Sequence, residues 1–151
     1  MRIFPIPFLV SLALFTAHGL AQPDIARHPV QFAKGQSAAT IKGSLTGDQS
    51  IDYTLRAAAG QTMTIKLSAG ASVNFNLLPP GSTGEALFIG SRDGSRSTTQ
   101  LPTSGEYTIR VYQMGHAKSS GQRSNFTLDV AITGGTPKAA ASPSAADDDR
   151  L

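Results

Sequence analysis

The chain has 151 residues, enough for one modest domain, and it contains no cysteine. That absence excludes a disulfide framework, a thiolate metal site and a lipid-acceptor cysteine. The formal net charge is only +3, and the lysines and arginines are scattered along the chain, which argues against a nucleic-acid-binding protein, whose basic residues cluster on one face.

Residues 1–21 have the form of an export signal: Met1-Arg2 as a basic start, an apolar run from Ile3 to Phe15, and small residues at Gly19 and Ala21. The apolar run is too short to span a bilayer, and no later stretch is apolar enough. The expected product is therefore a periplasmic or secreted protein with no membrane span. Residues 22–28 read as a flexible lead-in. Pro29 to Phe32 is a short strand candidate, and Ala39 to Leu45 alternates, with Ile41 and Leu45 on one face and Thr40, Lys42 and Ser44 on the other.

Ile51 to Ala57 repeats that period-two pattern, with Ile51, Tyr53 and Leu55 inward and Asp52, Thr54 and Arg56 outward. Thr62 to Ser68 follows with Met63, Ile65 and Leu67 inward, then Val73, Phe75 and Leu77. Pro79-Pro80-Gly81 ends that run, because proline cannot continue a central strand. Ala86 to Ile89 is a brief apolar segment, and the polar stretch 90–100 reads as a turn-rich connection. Tyr107, Ile109 and Val111 alternate with Thr108, Arg110 and Tyr112. Phe126, Leu128, Val130 and Ile132 close the pattern. Apart from the leader, no stretch places apolar residues at helical spacing. The pattern predicts an all-β fold, a small antiparallel β-sandwich of about eight strands over residues 29–133. The Gly-, Pro-, Ala- and Asp-rich residues 134–151 cannot bury a core and read as a disordered tail.

No chemistry-bearing motif is present: no HExxH, GxSxG, phosphate-binding or dinucleotide signature. Beyond the leader the histidines are His28 and His116, with no paired nucleophile. Asp48 and Asp93 sit in turn sequences rather than in an alternating acidic calcium loop. No enzyme activity, metal or cofactor is expected. Arg110, outward on its strand, is expected to pair with Asp129 or Glu106. The loop 113–124 carries His116, Lys118 and Arg123, with Tyr112 at its start. Basic groups on a loop suit entry into a carboxylate-lined glycosidase cleft. The plain alternative for this loop is a solvated hairpin connection. For Ser104-Gly105-Glu106-Tyr107 it is a simple turn with Tyr107 packed at a corner.

Asp52-Tyr53-Thr54 with Ala59-Gly60-Gln61-Thr62, and Leu101-Pro102 with Ser104-Gly105-Glu106-Tyr107 and Arg110-Val111, resemble the bacterial pre-peptidase C-terminal domains, which are small β-sandwiches. Within that group the chain most resembles the periplasmic inhibitors of g-type and i-type lysozymes. The opening Val30-Gln31-Phe32-Ala33-Lys34-Gly35-Gln36-Ser37-Ala38 is similar to the run that begins those inhibitors. The resemblance covers about residues 29 to 132. It implies a lysozyme inhibitor that occludes the cleft, with partner contacts from Ser104 and Tyr107 and from the loop after the Arg-Val strand. That loop is arginine-rich in the inhibitors, whereas here Gly115, Lys118 and Ser119 stand in it. The alternative function is a non-catalytic module holding cell-wall glycan or a protein partner.

Overall fold

The computed structural model describes residues 25–134. The leader, Gln22–Asp24 of the lead-in and all of the tail beyond Gly134 lie outside the described residues. The described residues form nine strands and two short helices. One sheet of five strands has the order β1(Ala26–Pro29), β3(Ser50–Ala57), β8(Gly105–Gln113), β5(Val73–Leu78), β6(Phe88–Ile89). The other, of four strands, runs β2(Ala38–Thr46), β9(Arg123–Thr133), β4(Thr62–Ala69), β7(Arg96–Gln100). Helix α1 is Gly90–Asp93 and α2 is Gly115–Ser119.

The two sheets face each other because each strand carries one apolar face. Tyr53 and Leu55 of β3, Phe75 and Leu77 of β5, and Tyr107, Ile109 and Val111 of β8 meet Leu45, Met63, Ile65, Leu67, Phe126, Leu128 and Val130 of the smaller sheet. This is the sandwich that the alternating pattern predicts. All pairings are antiparallel except β1 with β3, which run parallel from Ala26 beside Ile51 to Pro29 beside Thr54. The lead-in expected at 22–28 is therefore corrected: its last residues form β1. The pairing continues past β1 through the Val30 N–H, which donates to the Thr54 carbonyl at 2.8 Å. Arg96–Gln100, expected as part of a polar connection, is a second unforeseen strand. It is held by pairing with β4 and turns only Ser97 fully into the interior.

Gly43 shows how closely the layers approach. A Cβ added there would lie 2.5 Å from Phe126 Cζ and 3.0 Å from the Tyr53 hydroxyl. Phe126 is buried and packs edge-on against Tyr53, with ring centroids 6.3 Å apart, so it has little room to yield. Gly43→Ala is expected to destabilise the domain by about 1–3 kcal/mol through overpacking. A lowered urea midpoint with an unchanged denaturant slope is the measurement that checks this.

Candidate functional site

β8 positions both segments singled out by the sequence, one at each end. At its start, Gly105 takes φ 152°, and a Cβ there would meet Pro80 Cγ at 2.8 Å. Only glycine lets the turn at residues 102–105 lie against the turn at 79–82. Tyr107 is fully buried, and its hydroxyl donates to the Thr103 carbonyl at 2.6 Å while accepting from the Thr103 N–H at 3.3 Å. A tyrosine bonding back to the backbone just upstream of its strand is a corner brace. The Ser104 hydroxyl accepts the Ala59 N–H at 2.8 Å, and Gly60 and Gln61 exchange backbone bonds with Leu101. Ser104 is exposed at the tip of this braced turn. Tyr107 is not: the partner contact expected of it is corrected, since its side chain presents no surface to another molecule.

At the far end of β8, Tyr112 lies half-buried on the outer face, and its hydroxyl donates to Asn76 Oδ1 at 3.0 Å. Gln113 is buried, and its Nε2 donates to the carbonyls of Gly47 at 3.1 Å and Gln122 at 2.9 Å. Helix α2 follows, with Ala117 buried beneath it. The Met114 N–H donates to the Ser72 carbonyl at 2.9 Å, and the Gln122 N–H to the Ala117 carbonyl at 3.1 Å. The expected open hairpin loop is therefore a helical turn pinned at both ends. His116 and Lys118 are exposed upon it. Arg123 opens β9, exposed, and its guanidinium donates to the Ser44 hydroxyl at 3.1 Å. Asp48 and Lys118 share a shallow depression at this end.

The structure thus gathers Tyr112, His116, Lys118 and Arg123 at one end of the sandwich and leaves Ser104 at the other. β8 spans nine residues, and at the rise of an extended strand it separates the two ends by roughly 26 Å.

Between them lies a charged row that the sequence reading assigned wrongly. Arg110 pairs with neither Asp129 nor Glu106. Its Nε and Nη2 donate to the two carboxylate oxygens of Asp52 at 2.7 and 2.9 Å. Asp52 is 1% exposed, and Arg27 Nε stands 3.9 Å away on its other side. The hydrogen bond to Asp52 holds the Arg110 guanidinium above its ordinary pKa, its charge adding to the effect and partial burial opposing it. Asp129 belongs to the other sheet and accepts from the Thr40 hydroxyl at 2.6 Å. Glu106 lies opposite Arg56. Arg27, Asp52, Arg110, Glu106 and the residues 78–82 border a cavity of about 400 Å³ beside the Ser104 turn. Among the described residues, no cluster of three or more His, Asp or Glu could hold a metal ion, and no helix is long and apolar enough to cross a membrane.

No family model and no curated protein sequence matches the chain. Solved structures do. The periplasmic lysozyme inhibitor of g-type lysozyme PliG from Aeromonas hydrophila shares 43% identity at a TM-score of 0.68, over 72% of this chain and 97% of that one. PliG of Salmonella Typhimurium shares 25% identity at 0.58, over 72% and 98%. A PliG mutant from Escherichia coli shares 23% at 0.59, over 73% and 100%; at that identity it speaks for the fold alone. The similar structures are lysozyme inhibitors carried on the same β-sandwich. The chain belongs to the family of periplasmic inhibitors of g-type lysozyme, and like those relatives it is a periplasmic or secreted protein.

Two substitutions separate structural from contact roles. Tyr107→Phe removes the corner bond and is expected to lower stability by about 1 kcal/mol. Asp52→Ala leaves Arg110, part-exposed, to water alone and is expected to cost about 2 kcal/mol. Thermal unfolding followed by circular dichroism measures both.

Proposed function

We propose that this chain inhibits g-type lysozyme by occluding the substrate cleft, with no chemistry of its own. The observation that carries this is the 43% identity across nearly the whole Aeromonas hydrophila inhibitor. Both ends of β8 suit the task. The Ser104 turn is exposed and held rigid by its own hydrogen bonds, so little conformational entropy is lost on docking. The α2 end presents Lys118, His116 and Arg123 on a pinned support, and a glycosidase cleft is lined with carboxylates. Their separation means that one narrow insertion does not carry both. The enzyme meets the Ser104 turn and the α2 end as two contacts along β8, with Tyr112 at the rim of the second. Tyr107 acts by holding the Ser104 turn in shape. The relatives favour g-type over i-type lysozyme as the target.

Titrating the mature protein against g-type lysozyme in a cell-wall lysis assay, with i-type and c-type enzymes in parallel, tests the reading. Lysis by the g-type enzyme is expected to stop at micromolar protein; undiminished lysis overturns it. Ser104→Ala, and separately Lys118→Ala with Arg123→Ala, are each expected to weaken inhibition by about tenfold, the effect of losing ~1.4 kcal/mol of contact. If one variant leaves potency unchanged, that end does not touch the enzyme.

A further inference from the structure

The open side of the sandwich between β1 and β2 holds a groove of about 520 Å³ that neither end of β8 reaches. Tyr53 stands at its inner wall. The residue is 5% exposed, yet its hydroxyl forms no hydrogen bond with any described residue, and it lies 3.0 Å from where a Cβ on Gly43, a neighbour in the groove lining, would stand. Inward-facing tyrosine hydroxyls are normally partnered within the protein, as Tyr107 is, whereas that of Tyr53 is left to whatever occupies the groove. The missing side chain at Gly43 leaves that hydroxyl accessible.

The surroundings define what would partner it. Lys42 and His28 flank the groove, with the His28 ring 6.0 Å from that of Tyr53. Gln31 adds an amide, and no carboxylate lines the groove. Ile41 and Ile51 supply an apolar wall. β2 is also an edge strand. The Ile132 N–H donates to the Ser37 carbonyl, and the register from there directs the backbone bonds of Ile41 and Gly43 toward β9. The backbone groups of Thr40 and Lys42 point away from β9, unpaired in the sheet.

We infer that this groove is a binding site for a small acidic saccharide. Ring hydroxyls pair with the Tyr53 hydroxyl, the Gln31 amide and the free backbone groups of β2. The apolar face of the sugar lies on Ile41 and Ile51, and a carboxylate meets Lys42. Mixed apolar and convergent polar walls of this volume suit a ligand of one or two rings. The site is distinct from the lysozyme-facing ends proposed above, so the two functions are separable by mutation.

The test uses the isotopically labelled mature protein, titrated with N-acetylmuramic acid and, in parallel, with the neutral N-acetylglucosamine, and followed by amide shifts. Saturable shifts are expected at His28, Ile41, Lys42, Gly43 and Tyr53, with the acidic sugar binding about fivefold tighter or more. Tyr53→Phe loses no internal hydrogen bond; it should keep the unfolding temperature and lysozyme inhibition unchanged while weakening the sugar about fivefold, the usual effect of one lost hydrogen bond. Lys42→Gln should abolish the preference for the acidic sugar. No saturable shift at tens of millimolar sugar, equal affinity for both sugars, or unchanged binding by Tyr53→Phe overturns the inference.

Discussion

The period-two burial of β8 is the constraint on which the rest depends. Tyr107, Ile109 and Val111 are fully buried while Thr108, Arg110 and Tyr112 face outward. β8 is paired on both sides, by β3 and by β5. A slip of one residue would turn its apolar set to water and disturb both pairings together. That fixed register brings Asp52 opposite Arg110 and Asn76 on the other flank, and makes one outer row of the sheet polar. It also sets the two exposed turns at their distance and orientation. The candidate contact surface is therefore a by-product of how a central strand is buried.

With no cysteine in the chain, cohesion rests on side-chain packing and backbone pairing. The core is continuous between the sheets, with Phe75, Met63, Leu45 and Leu128 all fully buried. Its flanks are closed unevenly. On the β6 side, Phe88 stacks on Phe75 with centroids 5.0 Å apart. On the β1 side, the exposed residues of β1 cover less, and the Tyr53 groove opens there. Rigidity at the ends and openness at one flank come from the same arrangement of edge strands.

Much of this was legible in the sequence because it is local. The strands at 51–57, 62–68, 107–112 and 125–132 all follow from alternation. So does the sandwich, since strands with one apolar face each need a second sheet. What escaped was set by contacts distant in sequence. β1 is exposed along its whole length and exists only through parallel pairing with β3. β7 is polar and is held by β4. α2 is five residues long, too short for any periodic signal. For Arg110 the sequence suggested Asp129 or Glu106, and only strand order brings in Asp52. Tyr107 was the reverse case: the corner reading drawn from residue types described it better than the contact implied by resemblance. Its spacing from Thr103 and Gly105 was the available signal. The Tyr53 groove had no signal in one dimension, because its walls come from β1, β2 and β3 and its access depends on an absent side chain at Gly43.

The order of the strands also sets a timetable. β9 is the last strand among the described residues, yet it lies in the interior of its sheet, flanked by β2 and β4. A chain delivered N-terminus first, as in synthesis, cannot close that sheet until β9 has emerged. β2 and β4 must wait without their shared neighbour, and the pairings that end the wait span most of the domain. Such non-local closure is slow, so the smaller sheet is completed late, once β9 is available to both of its neighbours. The placement of one strand thus decides when the whole sheet can close.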